Sequence, residues 1–238
     1  TNKAAILDYQ SGFVESTNAL AKDDDTVGYV VGTSGDIGRL EAFTALLEQH
    51  HIQYEVISES STVSDVDYSA GMAIYVPTNQ QQYRLVKSIF STQTSFENNT
   101  FYDVSTWNLA LAFNLDYSPL GKGEARKVKR AESGKVKPAA LNDIKDNAYA
   151  YGFSWQHYYA PAMLQTLLEA GVKVRSSNKA FSALDYNGKA IDLPAGSILI
   201  PKGLSQPANL RDIVSNAQAQ LQVPIFSFKS GLTPHGND

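Results

Sequence analysis

Ala70-Gly71-Met72-Ala73-Ile74-Tyr75-Val76-Pro77 and Ala195-Gly196-Ser197-Ile198-Leu199-Ile200-Pro201 share one pattern: an Ala-Gly pair, a short strand-like apolar run, and a Pro that ends it. The two copies lie on the order of 120–125 residues apart, a spacing that predicts a duplicated unit. Reading outward from the first copy, Val27-Gly28-Tyr29-Val30-Val31 is a continuous apolar run of buried-strand type, followed by the loop Gly32-Thr33-Ser34-Gly35-Asp36-Ile37-Gly38. Leu40, Phe43, Leu46 and Leu47 then recur at helical spacing. Ile52 to Ile57 alternates like a strand, and Gln80 to Phe90 reads as an amphipathic helix. Around the second copy, Tyr149 to Phe153 predicts a strand, and Pro161 to Ala170 a helix with Met163, Leu164, Leu167 and Leu168 inward, ended by Gly171. Val172-Lys173-Val174 reads as a strand, and Ala208 to Leu221 as a helix carrying Leu210, Ile213, Val214 and Ala217.

Strands alternating with helices of this length predict an α/β fold of two related, three-layer-like halves. Each half is expected to be a β-α-β-β-α unit with a mainly parallel sheet and right-handed crossovers. The expected boundaries are a helical lead-in over 1–25, a first half over 26–120, a connection over 121–145 and a second half with its tail over 146–238. The connection carries Lys122, Arg126, Lys127, Lys129, Arg130, Lys135 and Lys137 with little apolar content, and reads as a solvated basic loop or a local anion or docking strip.

Composition narrows the function classes. A chain of 238 residues with 43% hydrophobic residues can bury a substantial core. The absence of Cys excludes disulfides, thiolate metal sites and a Cys nucleophile. A net charge of −4 argues against a nucleic-acid partner. No apolar run approaches the length of a membrane span. The start, Thr1-Asn2-Lys3-Ala4-Ala5, has neither an initiator Met nor a signal-peptide pattern, so the chain reads as an excised piece of something longer.

Catalytic motifs are missing. His50, His51, His157 and His235 show no His-Glu-x-x-His spacing, and the pairing of His235 with Asp238 lies in a Gly-rich chain end. Gly32-Thr33-Ser34-Gly35 has Asp36 where a nucleophile elbow needs Gly, which leaves Ser34 and Ser154 as the weakest hydrolase candidates. The amides around Thr33, Ser34 and Gly35 form a weak candidate anion loop, although the P-loop Lys is absent. Asp65 with Asp67, and Asp143 with Asp146, lie in polar settings that predict hydration rather than acid–base work. Better contact candidates are Tyr83, Arg84, Asp103, Trp107, Trp155 and His157, which sit in aromatic and polar stretches suited to a ligand or to an interdomain face.

Three stretches together resemble a known family: Tyr75 to Val86, Thr94 to Trp107 with its Phe101-Tyr102-Asp103-Val104-Ser105-Thr106-Trp107, and Ala112-Phe113-Asn114-Leu115-Asp116-Tyr117. They are similar to the region that follows the catalytic domain in large bacterial zinc carboxypeptidases of the carboxypeptidase A type. The tail Gly231 to Asp238 resembles the junction that precedes a glutamine-amidotransferase-like domain in such proteins. The family's His-x-x-Glu zinc pair, distant His and general-base Glu have no counterparts here. The resemblance therefore implies a non-catalytic accessory module with no cofactor of its own, zinc and peptide hydrolysis residing in a peptidase domain of the same parent, which is the expected partner. It also implies a periplasmic or secreted location. The alternative is a bilobal module that binds a sugar, amino acid or peptide between its halves, with Trp107, Trp155 and Arg84 in contact.

Overall fold

In the computed structural model, which describes residues 2–92, 108–131, 136 and 140–234, the chain divides into two units, Thr1–Pro138 and Ala139–Asp238. The first contains α1 (Lys3–Asp23), β1 (Gly28–Gly32), α2 (Ile37–Gln49), β2 (Glu55–Ile57), β3 (Ser61–Val63), β4 (Val66–Tyr68), β5 (Ala73–Pro77), α3 (Tyr83–Ile89), α4 (Leu109–Ala112), β6 (Asp116–Leu120), α5 (Lys122–Ala125) and β7 (Arg130–Ala131). Its main sheet runs β6-β1-β5-β2-β7, and β3 and β4 form a separate hairpin. The second unit contains β8 (Ala150–Phe153), α6 (Ala160–Glu169), β9 (Arg175–Ser176), β10 (Phe181–Leu184), β11 (Ala190–Leu193), β12 (Ile198–Pro201), α7 (Leu210–Leu221) and β13 (Phe226–Phe228). Its sheet runs β13-β8-β12-β9, with β10 and β11 as the hairpin.

The expected parallel, three-layer-like architecture is not what forms. Every neighbouring pair in both main sheets is antiparallel. The helical crossovers are present, since α2 joins β1 to β2, and those two strands point the same way. However, β5 slips between them in the opposite direction, and β12 does the same between β8 and β9. Val27 to Val31 misleads because a continuous apolar run reports burial on both faces and carries no information on strand direction. In β1 the helix side holds Tyr29 and Val31, packed with Leu40, Phe43 and Val86. The other side holds Val30, packed with Tyr68 of the β3–β4 hairpin and with Ala125 and Val128.

The two units match in topology. Each runs strand, helix, strand, hairpin, strand, helix, strand, and β6-β1-β5-β2 corresponds to β13-β8-β12-β9. Pro77 pairs with Gly28, the first residue of β1, as Pro201 pairs with Ala150, the first residue of β8. Gly71 (φ 76°) and Gly196 (φ 86°) both take the left-handed turn that only glycine adopts at little cost. A side-chain clamp also recurs. Gln80 Nε2 donates to Pro77 O (2.6 Å) and Gln53 O (3.2 Å), and its Oε1 accepts from Gln53 N (2.7 Å). Gln206 does the same to Pro201 O (2.9 Å), Lys173 O (2.8 Å) and Lys173 N (3.0 Å).

Smaller departures have local causes. Leu168 is exposed, because α6 covers its sheet through Ala160, Met163 and Leu167. Val172 to Val174 belongs to no strand; Val172 N closes the helix end on Leu167 O, and pairing begins at Arg175. Within 121–145, Lys122, Arg126, Lys127, Lys129 and Arg130 are exposed, whereas Ala125 and Val128 are buried and Arg130–Ala131 extends the sheet. The division between the units falls inside this stretch.

Candidate functional site

Tyr83 and Arg84, expected as ligand or interdomain contacts, hold α1 against α3. Arg84 Nε donates to Thr17 Oγ1 and its Nη2 to Ser16 Oγ, both at 3.2 Å, and its guanidinium lies 5.1 Å from the Phe13 ring centre. Tyr83 Oη donates to Asp24 Oδ2 (2.9 Å), which also meets Lys87 Nζ (2.8 Å). Burial of Asp24 favours its neutral acid, but the donors Lys87, Thr26 N and Tyr83 outweigh that and hold its carboxyl below the usual range. Asp24 and Lys87 escaped the sequence reading because nothing in the spacing shows that the end of α1 returns to α3.

Only the last part of α1 is held this way. Residues 2–16 are all exposed, and Thr17 and Ala21 alone are buried. Its Asn2 N-cap makes no side-chain capping bond. Ile6, Leu7, Tyr9, Phe13, Val14 and Leu20 nevertheless gather on one side at helical spacing, with exposures from 39% at Val14 to 76% at Tyr9. An isolated helix with this little tertiary support is marginal in water, so an apolar face of this kind gains by being covered. The helical lead-in was visible in the sequence; the exposure of these residues was not.

The remaining expected residues serve local structure. Thr33 Oγ1 accepts from Gly35 N (3.4 Å) and Asp36 N (3.1 Å), and Asp36 caps α2 by accepting from Arg39 N (3.4 Å). The candidate anion loop with Ser34 thus spends two of its amides internally. Trp155 and His157 lie in the β8–α6 turn. Trp155 is 39% exposed beside Gly196, and His157 Nδ1 accepts from Tyr159 N (3.4 Å). Ser154 Oγ accepts from Gln156 N (3.2 Å). Asp65 lies in the β3–β4 turn with φ 63°, Asp67 Oδ1 accepts from Thr62 Oγ1 (2.6 Å), and Asp143 pairs with Lys145 (2.6 Å). Asp103, Trp107, His235 and Asp238 lie outside the described residues.

No family model, curated protein or solved structure matches the chain.

Among the described residues no group of three or more His, Asp or Glu side chains is placed to hold a metal, and no helix is long and apolar enough to cross a membrane. The feature that stands apart from folding needs is the uncovered face of α1. Among the described residues no equivalent helix precedes β8, although the second unit builds the same topology.

Proposed function

We propose that this chain is a non-catalytic accessory module of a zinc carboxypeptidase-like bacterial protein, docking on the peptidase domain through α1. The exposed apolar face of α1 carries this reading, and the family resemblance of the 75–117 region supplies the partner. In this reading the parent cleaves peptides outside the cytoplasm, zinc sits in the peptidase domain, and this module shapes access to the substrate cleft. The six exposed apolar side chains together amount to about three fully buried ones, a gross gain of about 5–9 kcal/mol if covered. Between separate molecules the cost of association is of the same size, so in this reading docking relies on the covalent link to the peptidase domain, which makes the contact intramolecular.

Hydrogen exchange on this chain alone and on the same chain joined to its peptidase domain tests the proposal. Residues 3–16 are expected to exchange rapidly in the first case and at least about tenfold more slowly in the second. Equal exchange in both forms refutes docking through α1. Stoichiometric zinc binding or peptide hydrolysis by the isolated chain refutes the accessory role.

A further inference from the structure

A cleft of about 1160 Å³ opens at one end of the main sheet of the first unit. The strand order β6-β1-β5-β2-β7 fixes how its charges are laid out. Lys122 follows β6 and Lys22 lies before β1, whereas Glu55 opens β2 and Glu48 comes from the end of α2. Lys22 and Lys122 therefore stand at one end of the row, and Glu48 and Glu55, with Arg130 of β7 beside them, at the other.

The floor is rigid and already satisfied. Tyr75 is buried, with its Oη donating to Val27 O (2.9 Å) and its ring 4.4 Å from the Arg130 guanidinium. Arg130 is neutralised by Glu55 Oε2 at 3.1 Å. Tyr54 Oη donates to Glu48 Oε1 (2.6 Å), and burial with that carboxylate pushes the phenol up to about 12, so it remains a donor at neutral pH. After these pairings, Lys22 and Lys122 have no carboxylate partner among the described residues, and Glu48 and Glu55 each keep a second oxygen as acceptor.

We propose that this cleft binds a short extended peptide with free termini, its α-carboxylate between Lys22 and Lys122 and its α-ammonium at Glu48 and Glu55. Neighbouring strands stand about 4.8 Å apart, so the two charged walls are separated by two to three strand spacings, roughly 10–14 Å. At about 3.4 Å per extended residue this span fits a peptide of about three to four residues. A polyanion such as a nucleotide would meet the lysines but be repelled by the acidic wall, and an uncharged sugar would use neither. The site lies wholly within the first unit and does not depend on the reading of α1.

The test is a ¹⁵N-resolved NMR titration of the full chain with tetra-alanine, its N-acetyl and C-amide forms, and inorganic phosphate. Tetra-alanine is expected to shift the amides of Val27, Gln53, Tyr54 and Glu55 at millimolar concentration, with either blocked form binding about tenfold more weakly. Lys22→Gln with Lys122→Gln should weaken tetra-alanine by a similar factor yet leave the C-amide form unchanged; Glu48→Gln should do the converse with the N-acetyl form. These exposed positions leave the core intact, and an unchanged amide spectrum of each variant verifies it. Equal binding of free and blocked peptides, phosphate binding as tightly as tetra-alanine, shifts confined to other regions, or no shifts at all would each overturn the proposal.

Discussion

Replacing Asp24 by Ala should free α1 from the first unit. The side chain is 14% exposed and uses both oxygens: Oδ1 accepts from Thr26 N (2.9 Å), and Oδ2 accepts from Tyr83 Oη (2.9 Å) and Lys87 Nζ (2.8 Å). A hydrogen bond to a charged group contributes about 1.5–3 kcal/mol when buried, and the partly exposed Lys87 reduces its share, so the loss should be about 2–4 kcal/mol. Asp24→Asn keeps one acceptor oxygen and should lose about half of that. The native carboxyl titrates below its ordinary value, so its stabilisation is complete above the unfolded value of about 3.9 and drains away as pH falls through the lower native value. The difference between wild type and Asp24→Asn should therefore shrink between pH 7 and strongly acidic buffer. Because the chain has two units, a single unfolding midpoint is a poor gauge, and hydrogen exchange of the 17–24 and 83–89 segments is the appropriate assay. A cost for Asp24→Ala below about 1 kcal/mol at neutral pH, or a wild-type-to-Asn gap that stays constant on acidification, would refute the latch.

Four further substitutions probe the repeat. In Gly28→Ala the new Cβ would stand 2.4 Å from the Tyr75 ring, forcing that ring off Val27 O and away from Arg130, at a cost of about 2–4 kcal/mol by chemical denaturation. Gln80→Ala and Gln206→Ala each remove three equivalent bonds, and should cost about 1–2 kcal/mol apiece, each within its own unit as seen by segment-resolved exchange. At the helix ends, His51 (φ 55°) stands where the second unit has Gly171 (φ 76°), with Ile52 N and Val172 N closing on Leu47 O and Leu167 O. Gly171→Ala should therefore destabilise the second unit by about 1 kcal/mol, measured by hydrogen exchange of the 160–169 segment.

The elements legible in the sequence were those whose side-chain period is set by one buried face. Leu40, Phe43 and Leu47, and likewise Leu210, Val214 and Ala217, turn inward on the helices where their spacing put them. Strand direction was not legible, because Tyr29, Val30 and Val31 look the same whether a neighbour runs up or down. What decides it is the short hairpin β3–β4, which returns the chain to pair β5 with β2, and its polar Ser- and Asp-rich sequence gives little strand signal. The partners of the contact candidates were not legible for a related reason. Tyr83 and Arg84 have the chemistry of ligand contacts, but α1 and its C-cap reach them across 59 and 67 residues of chain, and such long-range pairing leaves no mark in local sequence.

Two copies of one topology in a single chain serve as controls for each other, since what both copies keep is what the fold requires. Both keep the Gly turn, the Pro opposite the first strand residue and the Gln clamp. Among the described residues only the first unit has a long helix, α1, ahead of its first strand and a fifth strand, β7. At the corresponding end of the second unit Lys145 pairs with Asp143, and Lys202 donates to Asp146 O, so these two cations hold the loop before β8. The features that exceed folding needs therefore concentrate in the first unit. Charge-reversing substitutions at Lys145 or Lys202 should accordingly show up in stability, whereas those at Lys22 or Lys122 should leave stability unchanged and alter binding alone.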